Sequence, residues 1–333
     1  PGEASTHSNL ASLLQEAGQT HEAARRQLRA VTLDPAAHRR IRLALMLPPI
    51  YESAADVGAW RERLEAEVDY LLQQGVTLDP SREPVTPNFY LPYQGRNDRE
   101  LQMKIGRLYR STFSRESVKP LEPRRDDRIH VGFVSHYFRE HTIGRLARGV
   151  ISGLSRERFR VSVFVPEAVD DPIAREIRAQ ADDFVEISNH LPTACREIAS
   201  RNLDLLHYTD IGMDPFTTSL AHSRLAAVQA TTWGHPVTTG IDQIDVFLSS
   251  RLFEPDGAGE HYTERLVQAH SLTTCYRRPS RSLLRAPRAK IGLPDDRTVY
   301  ACPQSLFKLH PDFDEVLGEI LRRDPRGELW LLS

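Results

Sequence analysis

Three polar segments, the second in two pieces, hold the side chains best able to do chemistry. Residues 135–144 bring His136, Arg139 and His141 close together. An imidazole there could bind an acceptor hydroxyl or exchange a proton near neutral pH, and an ordinary polar loop uses the same residues. Residues 208–214 carry the ionisable Asp210, and residues 233–240 carry Gly234, His235, Thr238, Thr239 and Gly240. Glycines permit tight turns, and threonine hydroxyls beside backbone N–H groups make a cradle for a sugar or phosphate. Any strand-to-helix connection can use a turn of that composition. The third segment, residues 303–308, ends in Lys308, one of only four lysines among 43 basic residues. An ammonium there suits a diphosphate as a point charge, with a solvated surface lysine as the plain alternative. The chain has no glycine-rich dinucleotide or nucleotide-hydrolase fingerprint, no paired-histidine metal motif and no nucleophile elbow. Hydride transfer, ATP hydrolysis and serine hydrolysis all lose ground, and no cofactor or metal is expected.

These segments fall where a layered α/β sheet would present them. Short β-branched runs at 129–135, 159–165, 184–187, 203–208, 227–232, 246–249 and 265–269 alternate with helical patterns at 143–154, 172–181, 193–201 and 216–224. That alternation predicts a parallel, doubly wound sheet whose ligand site lies outside the carboxyl ends of the strands. After an Arg- and Pro-containing connector at 280–290, a strand at 298–303, a helix at 314–323 and a strand at 328–332 begin a second α/β unit. Before the first sheet, residues 5–35 read as a helical hairpin broken at Gly18. Leu10, Ala11, Leu14, Gly18, Ala23, Ala30 and Pro35 fall at the spacing of one 34-residue tetratricopeptide repeat. Helical patterns continue at 38–47, 55–74 and 100–113. The Pro-rich stretch at 80–95 is either a disordered linker or, as Phe89, Tyr90, Leu91 and Tyr93 argue, a docked segment.

The 333 residues carry 43 Lys plus Arg and 45 Asp plus Glu, for a formal charge of −2. Neither a nucleic-acid glove nor an acidic tail is indicated. Cys195, Cys275 and Cys302 are odd in number and widely spaced, so a reducing, cytoplasmic setting without disulfides or zinc is expected. No apolar run approaches the roughly 20 residues of a bilayer span, so no membrane partner is expected. The chain starts at Pro1 and stops just after the strand-like 329–332, which suggests a piece of a longer protein.

Several ordered motifs resemble one family. They are Val131-Gly-Phe-Val-Ser135 followed by Phe138 and His141, and Arg224-Leu-Ala-Ala-Val-Gln229 leading to Trp233-Gly-His-Pro-Val-Thr-Thr-Gly240. Tyr262-Thr-Glu-Arg-Leu266, Pro303-Gln-Ser-Leu-Phe-Lys308 and Leu329-Trp-Leu-Leu332 complete the set. Together they resemble the O-linked N-acetylglucosamine transferase and SPINDLY family over about residues 5–35 and 128–333. The resemblance implies an α/β fold with an all-α N-terminal region. Tetratricopeptide-like helices (1–117) would precede a GT-B pair of Rossmann-like domains, the first at 118–283 and the second begun at 284–333 and truncated.

It also implies inverting, metal-independent transfer of N-acetylglucosamine from UDP-N-acetylglucosamine to Ser or Thr of protein or peptide acceptors. His141 matches the family's active-site histidine and Lys308 its diphosphate-contacting lysine, with Asp210 as a further catalytic candidate. Gly234, His235, Thr238, Thr239 and Gly240 match a donor-binding turn; Tyr262, His270 and Gln304 match positions lining the cleft. The helical region could serve as a homodimer contact. Residues 209–214 depart from the family's Asn-Gly element, and some family members use a fucose donor, so another sugar is an alternative. A degenerate nucleotide-sugar sensor joined to an interaction module is another, as is a free-sugar transferase or epimerase.

Overall fold

The structure is a computed structural model that describes residues 2–113, 127–276 and 287–332. The domain boundaries expected at 117/118 and 283/284, and residues 280–286 of the expected connector, lie outside the described residues. The N-terminal part is helical. Helices α1 (Ala4–Glu16) and α2 (Thr20–Leu33) form the hairpin, with Gly18 at a φ of 75° in the turn between them. That left-handed conformation carries little steric cost only for glycine. Ala11, Ala23 and Ala30 are fully buried, so small side chains let the paired helices approach.

Helices α3 (Ala37–Leu45) and α4 (Ala54–Gln73) follow, the latter capped by the Ser53 hydroxyl, which accepts from the Asp56 N–H. Ile41, Trp60, Leu64, Val68 and Leu71 form their shared core with Leu91, Leu101 and Leu108. Leu91 is fully buried and Val85 nearly so, so the Pro-rich stretch is docked on this core.

The last helix of this region, α5, spans Arg99–Gly106 and stops well short of residue 113. Strand-like pairing takes over there. The Leu78 N–H donates to the Leu108 carbonyl at 2.8 Å and the Arg110 N–H to the Leu78 carbonyl at 2.8 Å, bonds a continued helix would forbid.

The central unit alternates as expected: β1 (Ile129–Val134), α6 (Thr142–Gly153), β2 (Phe159–Val165), α7 (Pro172–Gln180), β3 (Asp183–Glu186), α8 (Leu191–Ala199), β4 (Leu205–Tyr208), α9 (Pro215–Ala221), β5 (Val228–Thr232), β6 (Val246–Ser250) and β7 (Arg265–Ala269). All pairings are parallel and the strand order is β3-β2-β1-β4-β5-β6-β7. Each face carries its own core. Val131, Phe133, Ile143, Ile151 and Val163 pack on one side, and Phe164, Ile198, Leu206, Tyr208 and Leu220 on the other. Burial on both faces explains the apolar character of the central strands β1, β2 and β4, while β3 and β7 at the two edges are only partly buried.

A separate two-stranded parallel sheet, β8 (Thr298–Ser305) with β9 (Gly327–Leu332), carries α10 (Phe313–Arg323) as its crossover. Among the described residues, no helix is long and apolar enough to cross a membrane.

Candidate active site

The strand order reverses between β1 and β4, which are hydrogen-bonded neighbours with connections running to opposite sides. Such a switch point opens a crevice at the strands' carboxyl ends. Asp210 follows β4 and is fully buried there. Its Oδ2 accepts from the Ser135 hydroxyl at 3.0 Å and from the His136 N–H at 3.1 Å, so the loops after β1 and β4 are stitched together through one carboxylate. Among the described residues its Oδ1 has no hydrogen-bond partner. The nearby Thr217 hydroxyl is turned to Asp214 Oδ1 instead, at 3.0 Å. Burial, reinforced by the Asp214 carboxylate, pushes the Asp210 carboxyl up to about 7. His136 Nδ1 stands 3.7 Å from Asp214 Oδ2, placing a second imidazole beside the pair.

His141 is the N-cap of α6. Its Nδ1 accepts from the Ile143 N–H at 3.2 Å, and its ring stacks on Tyr137 at 4.3 Å between centroids. Burial and the Arg139 and Arg145 guanidinium groups hold its pKa below the ordinary value. With Nδ1 occupied as an acceptor, the proton of the neutral ring resides on Nε2, which can donate to a bound hydroxyl or carbonyl.

The turn after β5 is built differently. The Glu264 carboxylate, nearly buried, accepts from the Thr238 hydroxyl at 2.6 Å, the Thr239 N–H at 2.8 Å and the Thr239 hydroxyl. His235 is buried; its Nε2–H donates to the Phe89 carbonyl at 3.1 Å and its ring stacks on Phe89 at 5.2 Å. Burial brings its pKa down to about 4, so the ring is neutral. A Cβ on Gly240 would fall 2.1 Å from the Gln102 carbonyl oxygen, which explains glycine where this turn presses on α5.

His235, Thr238, Thr239 and Gly240, expected to cradle a donor, thus pack beside the helical region with both threonine hydroxyls and His235 Nε2 engaged, while His235 Nδ1 has no hydrogen-bond partner among the described residues. Gly234 lies nearer the crevice, where a Cβ would fall 1.9 Å from the Thr209 carbonyl oxygen.

Beneath α6 lies a small hollow of about 30 Å³, bordered by Phe133, Ile143, Leu146, Trp233 and Gly234. Four buried polar atoms on its walls have no hydrogen-bond partner among the described residues: His207 Nδ1, Thr209 Oγ1, Trp233 Nε1 and Thr274 Oγ1. Burial holds His207 neutral, with its pKa lowered to about 4. At that size it has room for ordered water or one small substituent, and its unanswered polar atoms are where either would bond.

Tyr262 donates its hydroxyl to Glu254 Oε1 at 2.6 Å, and its carbonyl accepts from Arg99 Nε–H at 2.9 Å, tying the approach to β7 to α5. His270 is exposed just beyond β7, and Gln304 is exposed on β8. Lys308 closes a short 3₁₀ turn, Leu306–Lys308, and is exposed.

The structure therefore sets His141, Asp210 and Gly234 on the loops that follow β1, β4 and β5, with Asp210 fully buried and Gly234, of the three, on the wall of the hollow. Lys308 stands on the second unit, and no hydrogen bond, ion pair or ring contact among the described residues joins it to His141. Sequence reading gives no role to Glu264, His207 or Trp233, although Glu264 and Trp233 stand in two of the quoted motifs. Nothing local to Glu264 announces its threonine partners.

No protein-family model matches the chain. Over 308 residues it is 26% identical to a probable UDP-N-acetylglucosamine–peptide N-acetylglucosaminyltransferase, SEC, of Arabidopsis thaliana, a match covering 83% of this chain and 30% of that protein. In fold it is similar to an O-GlcNAc transferase of Thermobaculum terrenum, solved as a lysine-to-methionine mutant. The TM-score is 0.67 at 22% identity, covering 99% of this chain and 62% of that one. The chain thus spans less than a third of the curated relative and under two thirds of the solved one. Its architecture, a helical region followed by parallel α/β units, is shared with that GT-B transferase, and in sequence and fold together the chain resembles the O-linked N-acetylglucosamine transferase family to which its ordered motifs point.

Proposed function

We propose that this chain carries the acceptor-side half, and the beginning of the nucleotide-side half, of an inverting glycosyltransferase that moves N-acetylglucosamine from UDP-N-acetylglucosamine to Ser or Thr hydroxyls of proteins. The observation that carries the reading is the switch point between β1 and β4, where the loops bearing His141 and the raised carboxyl of Asp210 leave the carboxyl end of a parallel sheet. A switch-point crevice is where such sheets hold ligands. The similarity to a peptide N-acetylglucosaminyltransferase supplies the reaction class.

On this reading the acceptor oxygen attacks the anomeric carbon as the bond from that carbon to the diphosphate oxygen breaks, with the electron pair leaving on the diphosphate. The Lys308 ammonium offsets that developing charge, an electrostatic contribution of the sort that dominates many such sites. His141 Nε2–H positions the sugar or the acceptor by hydrogen bonding. Asp210, close to half ionised near pH 7, is the candidate proton acceptor. The departure at residues 209–214 keeps fucose as a rival sugar.

In the full-length protein, Lys308→Met is expected to abolish sugar transfer to a peptide library while leaving the melting temperature unchanged. Mass spectrometry with UDP-N-acetylglucosamine and GDP-fucose in parallel reads both sugar and acceptor residue. Unchanged turnover rejects the lysine's role. Nucleotide binding without any transfer instead supports a sensor.

A further inference from the structure

We infer that Phe307 and Phe89 are positioning residues for transfer: together they form an aromatic bridge that sets the Lys308 turn against the mouth of the first sheet. The inference deepens the proposed function and rests on the diphosphate role given there to Lys308.

Among the described residues the Lys308 ammonium makes no hydrogen bond or ion pair. Its described contact is with the ring of Phe307, 5.9 Å from the centroid. Its placement is therefore set by the short turn that carries it, and that turn is held by Phe307. The Phe307 ring meets Phe89 at 5.5 Å, Tyr90 at 5.7 Å and Tyr93 at 5.1 Å between centroids, all edge-on. Edge-to-face contacts at these distances are the favoured geometry for rings carrying a quadrupole, and three of them fix a ring's position and tilt. On its other side Phe89 is held twice by His235, through the stacked rings and through Nε2–H to the Phe89 carbonyl at 3.1 Å. His235 follows Gly234, whose backbone lies against the Thr209 carbonyl at the rim of the hollow.

An unbroken run of packed groups thus leads from the carboxyl end of β4, through the β5 turn and the docked segment of the helical region, to the lysine of the second unit. The helical region does more than present partners here, because its residues 89–93 lie between the two α/β units and decide where the cation stands. A neutral His235 is what permits the stack, since a charged imidazole buried on Phe89 would lack a counter-ion.

The test measures UDP and uridine affinities by calorimetry in the full-length protein for wild type, Phe307→Ala, Phe307→Tyr, Lys308→Met and the Phe307→Ala/Lys308→Met double variant. The bridge predicts that Phe307→Ala weakens UDP about tenfold while uridine is unchanged, because only the diphosphate meets Lys308. Phe307→Tyr keeps the ring contacts and restores UDP affinity, and Phe307→Ala adds no further loss once Lys308 is Met. Turnover of Phe307→Ala should fall mainly in kcat. Equal losses for UDP and uridine, a loss that persists in the Lys308→Met background, or unchanged UDP binding by folded Phe307→Ala overturns the bridge. If Lys308→Met itself binds UDP like wild type, or wild type binds neither probe, the diphosphate role fails first and the bridge falls with it.

Discussion

Two buried carboxylates sit at opposite ends of strands in the same parallel sheet, Asp210 just after β4 at its carboxyl end and Glu264 just ahead of β7, where it meets the turn after β5, and the protein treats them in opposite ways. Glu264 spreads its bonds over both oxygens, taking the Thr238 hydroxyl on one and the Thr239 N–H and hydroxyl on the other. Asp210 takes both of its bonds on Oδ2, leaves Oδ1 without a direct partner, and has a second carboxylate, Asp214, close enough to raise its pKa further. The contrast extends to the neighbours. Thr238 and Thr239 are engaged, whereas Thr209, His207 and Trp233 around the hollow each keep a buried polar atom without a partner. A buried polar group that is fully answered holds a fold together, while one left unanswered stores capacity for a ligand or a proton.

The largest effect should come from dismantling the satisfied side. Glu264→Leu removes the acceptor of two hydroxyls and one N–H, each left in a poorly hydrated interior. At about 1–3 kcal/mol for each stranded donor, eased by the Thr263 hydroxyl that can still pair with Thr238 at 2.9 Å, a loss of roughly 3–5 kcal/mol is expected in urea denaturation. A loss below about 1 kcal/mol would show that the turn does not depend on its carboxylate, and the contrast with Asp210 would lose its meaning.

Asp210→Asn should act in the other direction. The carboxyl has a folded pKa of about 7 against about 3.9 in an unfolded chain. Below the lower value both states are protonated and the group has no effect on stability. Between the two the unfolded state ionises first, so wild-type stability falls as pH rises, and the cost is complete above about pH 7. Asn cannot ionise but can still accept from Ser135 and His136. The variant should therefore match wild type near pH 4 and exceed it by about 2–4 kcal/mol at pH 8, while losing sugar transfer in the full-length protein. Parallel pH profiles for the two proteins would mean that Asp210 is not held protonated by its surroundings.

What could be read from the sequence follows the range of the interactions. The seven strands of the central sheet and their four helices are local patterns, and each was placed to within a few residues because β-branched runs buried on both faces leave a strong trace. The helix expected to reach Phe113 ended at Gly106 because Leu78, thirty residues away, captures the backbone of Leu108 and Arg110. The threonine turn reads equally as a sugar or phosphate cradle and as an ordinary strand-to-helix connection for the same reason: the Glu264 that occupies its hydroxyls lies 25 residues downstream, and nothing near Thr239 reports it. Asp210 was legible because a strand end is a local feature. Its unpaired oxygen was not, since that depends on Thr217 turning to Asp214.

The smallest expected change sharpens the contrast most. Thr209 and Thr238 are both buried threonines near the ends of adjacent loops, and replacing either by Val exchanges one hydroxyl for a methyl of similar volume. Thr238→Val strands the Glu264 oxygen and the Thr263 hydroxyl and N–H that now pair with it, a loss of about 1–2 kcal/mol. Thr209→Val strands nothing, since its hydroxyl has no partner to lose, so stability should stay within about 0.5 kcal/mol of wild type or rise. If the hollow receives part of the donor, that same silent substitution should raise the KM for the nucleotide sugar several-fold in the full-length protein, while Thr238→Val leaves KM unchanged in the fraction that remains folded. A Thr209→Val variant as unstable as Thr238→Val would mean that its hydroxyl is already answered in solution, by an ordered water held in the hollow, and that the unsatisfied wall is a feature of packing and not of recognition.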